Sequence, residues 1–166
     1  MPRHGVGLRL RSVIGLISDT HGRFRPQIPS IFAGVDRIVH AGDVGGAVVL
    51  ESLAAIAPVD AVSGNVDDRS NPMLPRERVL PVGRLTLHVS HGDELGSPTP
   101  ERLLARYSAD LLVYGHTHRP LMVRSDDGRV VVNPGSAGPQ RFRIQPSVAI
   151  VTVTDGDVAV EFFSLE

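Results

Sequence analysis

The sequence predicts an α/β fold carrying an antiparallel extension, and three observations predict it. Short apolar runs rich in Val and Ile recur, each closed by glycine or a small polar residue, and their apolarity is continuous, as in strands buried on both faces. Helical periodicity lies between several of these runs. After Pro120 the texture changes to alternating strands joined by Asp-Gly turns.

Taken in order, "SVIGLIS" gives the first strand, with residues 1–11 read as a flexible tail. "DRIVHAG" is the second strand. In "GAVVLESLAAIA" the side chains of Val49, Leu50, Leu53 and Ile56 share one helical stripe before Pro58 stops it. "VDAVSG" and "RLTLHVSHG" are the third and fourth strands. "SPTPERLLARYS" is a second helix, with Thr99 as N-cap and Pro100 at the first helical position. "ADLLVYGH" is the fifth strand, and two hairpins follow, turning at Asp127-Gly128 and Asp155-Gly156. No repeat or linker divides the chain, so residues 1–166 are expected to form a single domain. That length suffices to bury about 70% of the unfolded surface without disulfides.

Composition narrows the function. The 17 basic and 18 acidic side chains nearly cancel and no basic track stands out, so strong nucleic-acid binding is not expected. Cysteine is absent, which removes disulfides, thiolate metal sites and thiol catalysis together and suits a reducing compartment. No apolar stretch is long enough to cross a membrane. The early arginines precede an apolar run of only Val13 to Ile17, too short for a secretion signal. The expectation is a soluble cytoplasmic protein. No heptad or exposed stripe announces an interface, which leaves a homo-oligomer open.

Ligands of open α/β sheets bind at the carboxyl ends of strands. Here the first strand ends in Asp19 and His21, the second in Asp43, the third in Asn65 and Asp67, the fourth in His91, and the fifth in His116 and His118. Asp or Asn beside glycine ordinarily satisfies a turn, and a lone His is ordinarily structural. The joint pattern argues otherwise, because every one of these strand ends carries such a residue. In extended backbone the His-Thr-His pair would also share one side. Nitrogen and oxygen donors in this number suit Mn, Fe, Zn, Co or Ni, and two such ions sharing a carboxylate are a known device for phosphoester hydrolysis.

The blocks "DTH", "GD", "GN-D", "HG" and "GHTH", in this order, resemble the signature of the calcineurin-like metallophosphoesterases. The short chain and "NPGS" at Asn133 to Ser136 resemble the small prokaryotic phosphodiesterase subgroup. The resemblance implies a four-layer α/β/β/α sandwich, two mixed β-sheets flanked by helices. It implies two divalent ions, with Mn²⁺ expected first: Asp19, His21 and His118 on one, Asn65, His91 and His116 on the other, Asp43 bridging. Asn65 and His91 would also face the phosphate of a small phosphodiester, attacked by a hydroxide shared between the metals.

Many members of that family carry histidine after Gly-Asn, where it protonates the leaving group; this chain has Val66. Asp67 remains as a catalytic candidate, against a reading in which it caps a helix together with Asp68. His88 is expected on the polar face of its strand, His40 as a buried structural residue, His4 in the tail, and Arg141 on a solvated loop. Substrate specificity is expected from loops at Asn71 to Arg78 and Pro134 to Gln140. The alternatives are a phosphomonoesterase or protein phosphatase, and a non-catalytic protein-binding scaffold such as the retromer subunit of the same fold.

Overall fold

The structure is a computed structural model that describes residues 10–166. His4 and most of the expected tail lie outside the described residues. Strand β1 (Arg11–Ile17) leads through the short helix α1 (Ile28–Ile31) to β2 (Arg37–His40), then through α2 (Ala47–Ala54) to β3 (Val59–Ala61). Next come β4 (Glu77–Val82), β5 (Leu85–Ser90), a 3₁₀ turn (Asp93–Leu95) and α3 (Pro100–Arg106). The chain closes with β6 (Leu111–Val113), β7 (Leu121–Arg124), β8 (Val130–Asn133), β9 (Ser147–Thr154) and β10 (Asp157–Ser164).

Two five-stranded sheets form, ordered β10-β9-β1-β2-β3 and β4-β5-β6-β8-β7. Both are mixed. β1, β2 and β3 run parallel, as do β5, β6 and β8, while the hairpins add antiparallel strands. Parallel strands put their carboxyl ends at one edge, so the five expected site-bearing segments all finish on the same side of the molecule.

The sandwich follows from which side chains each strand turns inward. Ile14, Leu16 and Val39 of the first sheet pack against Leu87, Val89, Leu111, Val113, Val130 and Val132 of the second. The opposite face of the first sheet, with Ile17 and Ile38, takes Ile28 and Phe32 from α1 and its end, and Val49 and Leu53 from α2. Leu103 of α3 covers Leu112, Tyr114 and Val131 on the far side of the second sheet. Helix, sheet, sheet and helix give the expected four layers. Thr99 caps α3 through its side chain, accepting from Arg102 N at 3.2 Å, with Pro100 at the first position. No helix among the described residues is long and apolar enough to cross a membrane.

Four local expectations are corrected. Arg11, assigned to the tail, opens β1 opposite Thr154. Glu77 and Arg78, assigned to a loop, open β4, an edge strand on which Pro81 is tolerated because one side of the strand needs no ladder partner. Pro134 to Gly138 are buried; Ala137 N donates to Ser18 O at 2.9 Å, so this part of the expected specificity loop is a supporting wall. His88 does not face water: it is buried, bonded through Nε2 to Glu77 Oε2 at 2.7 Å and stacked on Tyr107 at 3.8 Å between ring centroids.

Candidate metal centre

The loops after β1 and β2 are zipped together before any side chain is considered. Ala41 N donates to Ile17 O, Asp19 N to Gly42 O, His21 N to Asp43 O and Gly22 N to Val44 O, at 2.8 to 3.0 Å. Along this zipper the backbone turns left-handed at Asp19 (φ 55°), His21 (φ 47°) and Asp43 (φ 54°), and again at His116 (φ 70°) and His118 (φ 63°) in the loop after β6. Non-glycine residues avoid this region at a cost of roughly 1–3 kcal/mol each, and they persist there where the surroundings dictate it. Five of the seven metal-ligand candidates adopt it. Sequence spacing did not show this. Extended geometry would have pointed the two histidines of "GHTH" the same way; the left-handed turns send them to different neighbours.

His118 Nε2 lies 3.1 Å from Asp19 Oδ1, and His21 Nε2 lies 3.9 Å from the same oxygen. His116 Nδ1 instead meets His91 Nε2 at 3.3 Å and Asn65 Oδ1 at 3.2 Å. Asp43 Oδ2 stands between, 3.7 Å from His21 Nε2 and 3.3 Å from His91 Nε2. Among the described residues two overlapping groups of side chains able to hold a metal ion result, Asp19 with His21 and His118, and Asp19 with Asp43 and His91. Asp19 is therefore common to both, a double membership the sequence did not reveal.

The chemistry of these atoms fits a cation. Asp19 Oδ1 and His21 Nε2 are buried and have no hydrogen-bond partner. The other oxygen, Asp19 Oδ2, is held by Ser18 Oγ at 2.6 Å and His116 N at 3.2 Å, which aims Oδ1 at the histidines. Burial works against ionisation of Asp19, but His118 and His91 outweigh it and hold the carboxyl below its ordinary value. Burial likewise opposes charge on His91, yet Asp43 and Asp19 raise its pKa to about 9. Two buried carboxylates thus draw positive charge into the space between them. With nitrogen and oxygen donors only, the set suits first-row divalent ions.

His40 is the buried histidine beneath this arrangement, as expected. Gly42 N donates to its Nδ1 at 3.1 Å, so Nε2 carries the proton and donates to Thr20 Oγ1 at 3.0 Å, leaving the Thr20 hydroxyl to donate to Val44 O at 2.7 Å. A neutral ring satisfies every bond, and burial pushes the pKa down to about 4. Below its ordinary value the unfolded chain takes up a proton that the folded chain refuses, so stability falls with pH. Between pH 6 and 4.5 the metal-free protein should lose about 1.5 kcal/mol of unfolding free energy from this residue. His91 is protonated in both states over that range and adds almost no slope. Denaturant titrations of the wild type and His40→Asn check this: parallel pH dependences would refute it.

Outside the two groups, Asp67 caps no helix. Its carboxylate accepts from Val44 N at 3.1 Å, Gly45 N at 3.1 Å and Gly64 N at 2.8 Å. Val66 is 54% exposed, and its backbone N donates to Asp43 Oδ1 at 3.1 Å. Arg141 is exposed and shares a small crevice with His118. Three contributors escaped the sequence reading: Ser18, Thr20 and Arg25, whose buried guanidinium donates to the carbonyls of Ala137, Gly138 and Leu165 and pins the wall behind Asp19. Ser18 and Thr20 flank a quoted block, but Arg25 gives no local signal.

A family model described as a calcineurin-like phosphoesterase superfamily domain matches residues 13–156. A protein of Methanothermobacter thermautotrophicus named "Probable metallophosphoesterase" is 35% identical over 155 residues, covering 87% of this chain and 87% of the relative. Phosphodiesterase YfcE of Escherichia coli is 34% identical over 145 residues, covering 72% of this chain and 76% of the relative. Among solved structures, Vacuolar Protein Sorting 29 from Cryptosporidium parvum superposes with a TM-score of 0.76 at 24% identity, over 93% of this chain and 99% of that one.

Proposed function

The chain belongs to the calcineurin-like phosphoesterase superfamily, and we propose that within it the protein is a phosphodiesterase working with two divalent cations. The observation that carries the reading is the buried, unpartnered Asp19 Oδ1 with three imidazoles turned toward it. Asp19, His21 and His118 would hold one ion and Asn65, His91 and His116 the other, with Asp43 between them; Mn²⁺ is the first choice. Such ions supply Lewis acidity and bring the pKa of a bound water toward neutrality.

The residues of the chain set the rest. Asn65 has an amide oxygen for the metal side and an NH₂ to donate to a phosphate oxygen. Ser18 and the His116 amide lock the Asp19 rotamer, so the anionic oxygen need not reorganise as charge develops. Position 66 carries no proton donor, so the site favours departing oxygens that are stable as anions. Diesters with stable leaving groups suit such a site, and the relative named as a phosphodiesterase supports that substrate class.

Chelator-stripped protein should hydrolyse neither an aryl phosphodiester nor the matching monoester, and Mn²⁺ should restore cleavage of the diester with little of the monoester. Preference for the monoester would favour a phosphomonoesterase. Inactivity with Mn, Fe, Zn, Ni and Co alike would favour a protein-binding scaffold, the reading that the fold's likeness to a vacuolar sorting protein keeps in view.

A further inference from the structure

Asp67 sits one residue beyond the position where a proton donor is missing, yet its carboxylate is engaged by three backbone amides. Oδ2 accepts from Val44 N at 3.1 Å and Gly64 N at 2.8 Å, and Oδ1 from Gly45 N at 3.1 Å. Those amides belong to two loops. Val44 and Gly45 follow the ligand Asp43, and Gly64 precedes the ligand Asn65. The exchange is reciprocal, since Val66 N, from the Asn65 loop, donates to Asp43 Oδ1 at 3.1 Å.

The contact between the loops leaves no room for a side chain at Gly64, and Gly45, on the other flank of the loop after β2, is packed as tightly against the loop after β1. A Cβ on Gly64 would fall 2.1 Å from Asp43 Oδ1, and one on Gly45, itself at φ +84°, would fall 2.2 Å from Gly22 N. The backbone of Val44 is held on both sides, its N–H by Asp67 and its carbonyl by Gly22 N and Thr20 Oγ1. Hydrogen bonds from amides to an ionised carboxylate are roughly twice as strong as neutral ones. Three of them together can hold Asp43 in its left-handed turn.

We propose that Asp67 is a positioning residue: it clamps the loops after β2 and β3 together and so fixes the placement of Asp43 against Asn65. This rests on the metal-centre reading but on neither the substrate class nor the reaction. The role differs from proton donation, and the two make opposite forecasts. In Asp67→Asn the NH₂ group faces backbone donors, so at least one of the three bonds becomes repulsive. Affinity for the second ion bound should fall about 10- to 100-fold, the usual cost of losing support behind metal ligands, while the first is held within about threefold. The ratio of aryl to alkyl diester rates at saturating metal should not change.

Titration of stripped protein with Mn²⁺ by calorimetry, and with Co²⁺ by visible absorption, reads the affinities without reference to turnover. Unchanged affinity for both ions in Asp67→Asn overturns the clamp, as does a rate loss confined to alkyl esters, which would make Asp67 an acid. A measurement on the wild type guards against a variant that fails to fold. In metal-free protein the amides of Val44, Gly45 and Gly64 should be protected from hydrogen exchange; free exchange at these three would also overturn the clamp.

Discussion

Asp19→Asn should lower the rate on an aryl phosphodiester on the order of 10³-fold and leave the protein unable to fill both metal positions. Asp19 is the one side chain common to both groups, and it is fully buried. An asparagine there would keep its carbonyl oxygen toward the two donors that hold Oδ2, Ser18 Oγ and His116 N. Its NH₂ would then replace Oδ1, turned toward His118 at 3.1 Å, His91 at 3.8 Å and His21 at 3.9 Å. An anionic donor becomes a neutral hydrogen-bond donor in both groups at once. Removing several kcal/mol of charge stabilisation costs roughly three powers of ten. Metal content after loading and desalting, measured beside the rate, makes the test sharp. A variant that retains both ions with a rate within tenfold of the wild type would show that Asp19 is not a metal ligand.

Val66→His should act in the opposite direction and selectively. The backbone of Val66 is tied to Asp43 and its side chain is 54% exposed, so an imidazole there would stand beside the site without displacing a core group. A positioned general acid contributes typically ~10² to 10⁴ in rate where the leaving oxygen needs a proton. An alkyl diester should gain in that range, while an activated aryl diester, whose leaving group departs unaided, should gain less than about tenfold. Initial rates on one aryl and one alkyl ester of the same phosphate give the ratio directly. If the ratio is unchanged, the missing proton at position 66 is not what limits alkyl substrates.

What the sequence made legible depended on range. Continuous apolar runs marked β1, β2, β3, β5 and β6, because burial on both faces leaves a strong local signature. β4 was missed since "ERVLPV" mixes Arg78 and Pro81 with its apolar residues, and only its place at the sheet edge tolerates them. α1, four residues long, is too short to show a period. The identities of the ligand candidates were legible as residue types at strand ends. Their orientation was not, because left-handed turns at Asp19, His21, Asp43, His116 and His118 overrule the extended geometry that spacing suggests. The burial of His88 and the inward grip of Asp67 depend on partners distant in the chain, Tyr107 for one and Val44 and Gly45 for the other.

The strand ends of the first sheet supply Asp19, His21, Asp43 and Asn65, and those of the second supply His91, His116 and His118. Asp19 and His116 touch across 97 residues of chain. An ion binding there meets its full set of donors only after both sheets have formed and closed on each other, a late event in folding because long loops must already be ordered. Ions that favour only the finished state slow its escape more than they hasten its arrival. A metal bound at this candidate centre would thus also be a lock between the two halves of the sandwich, and the lifetime of the folded chain, rather than its speed of folding, is what its occupancy would lengthen.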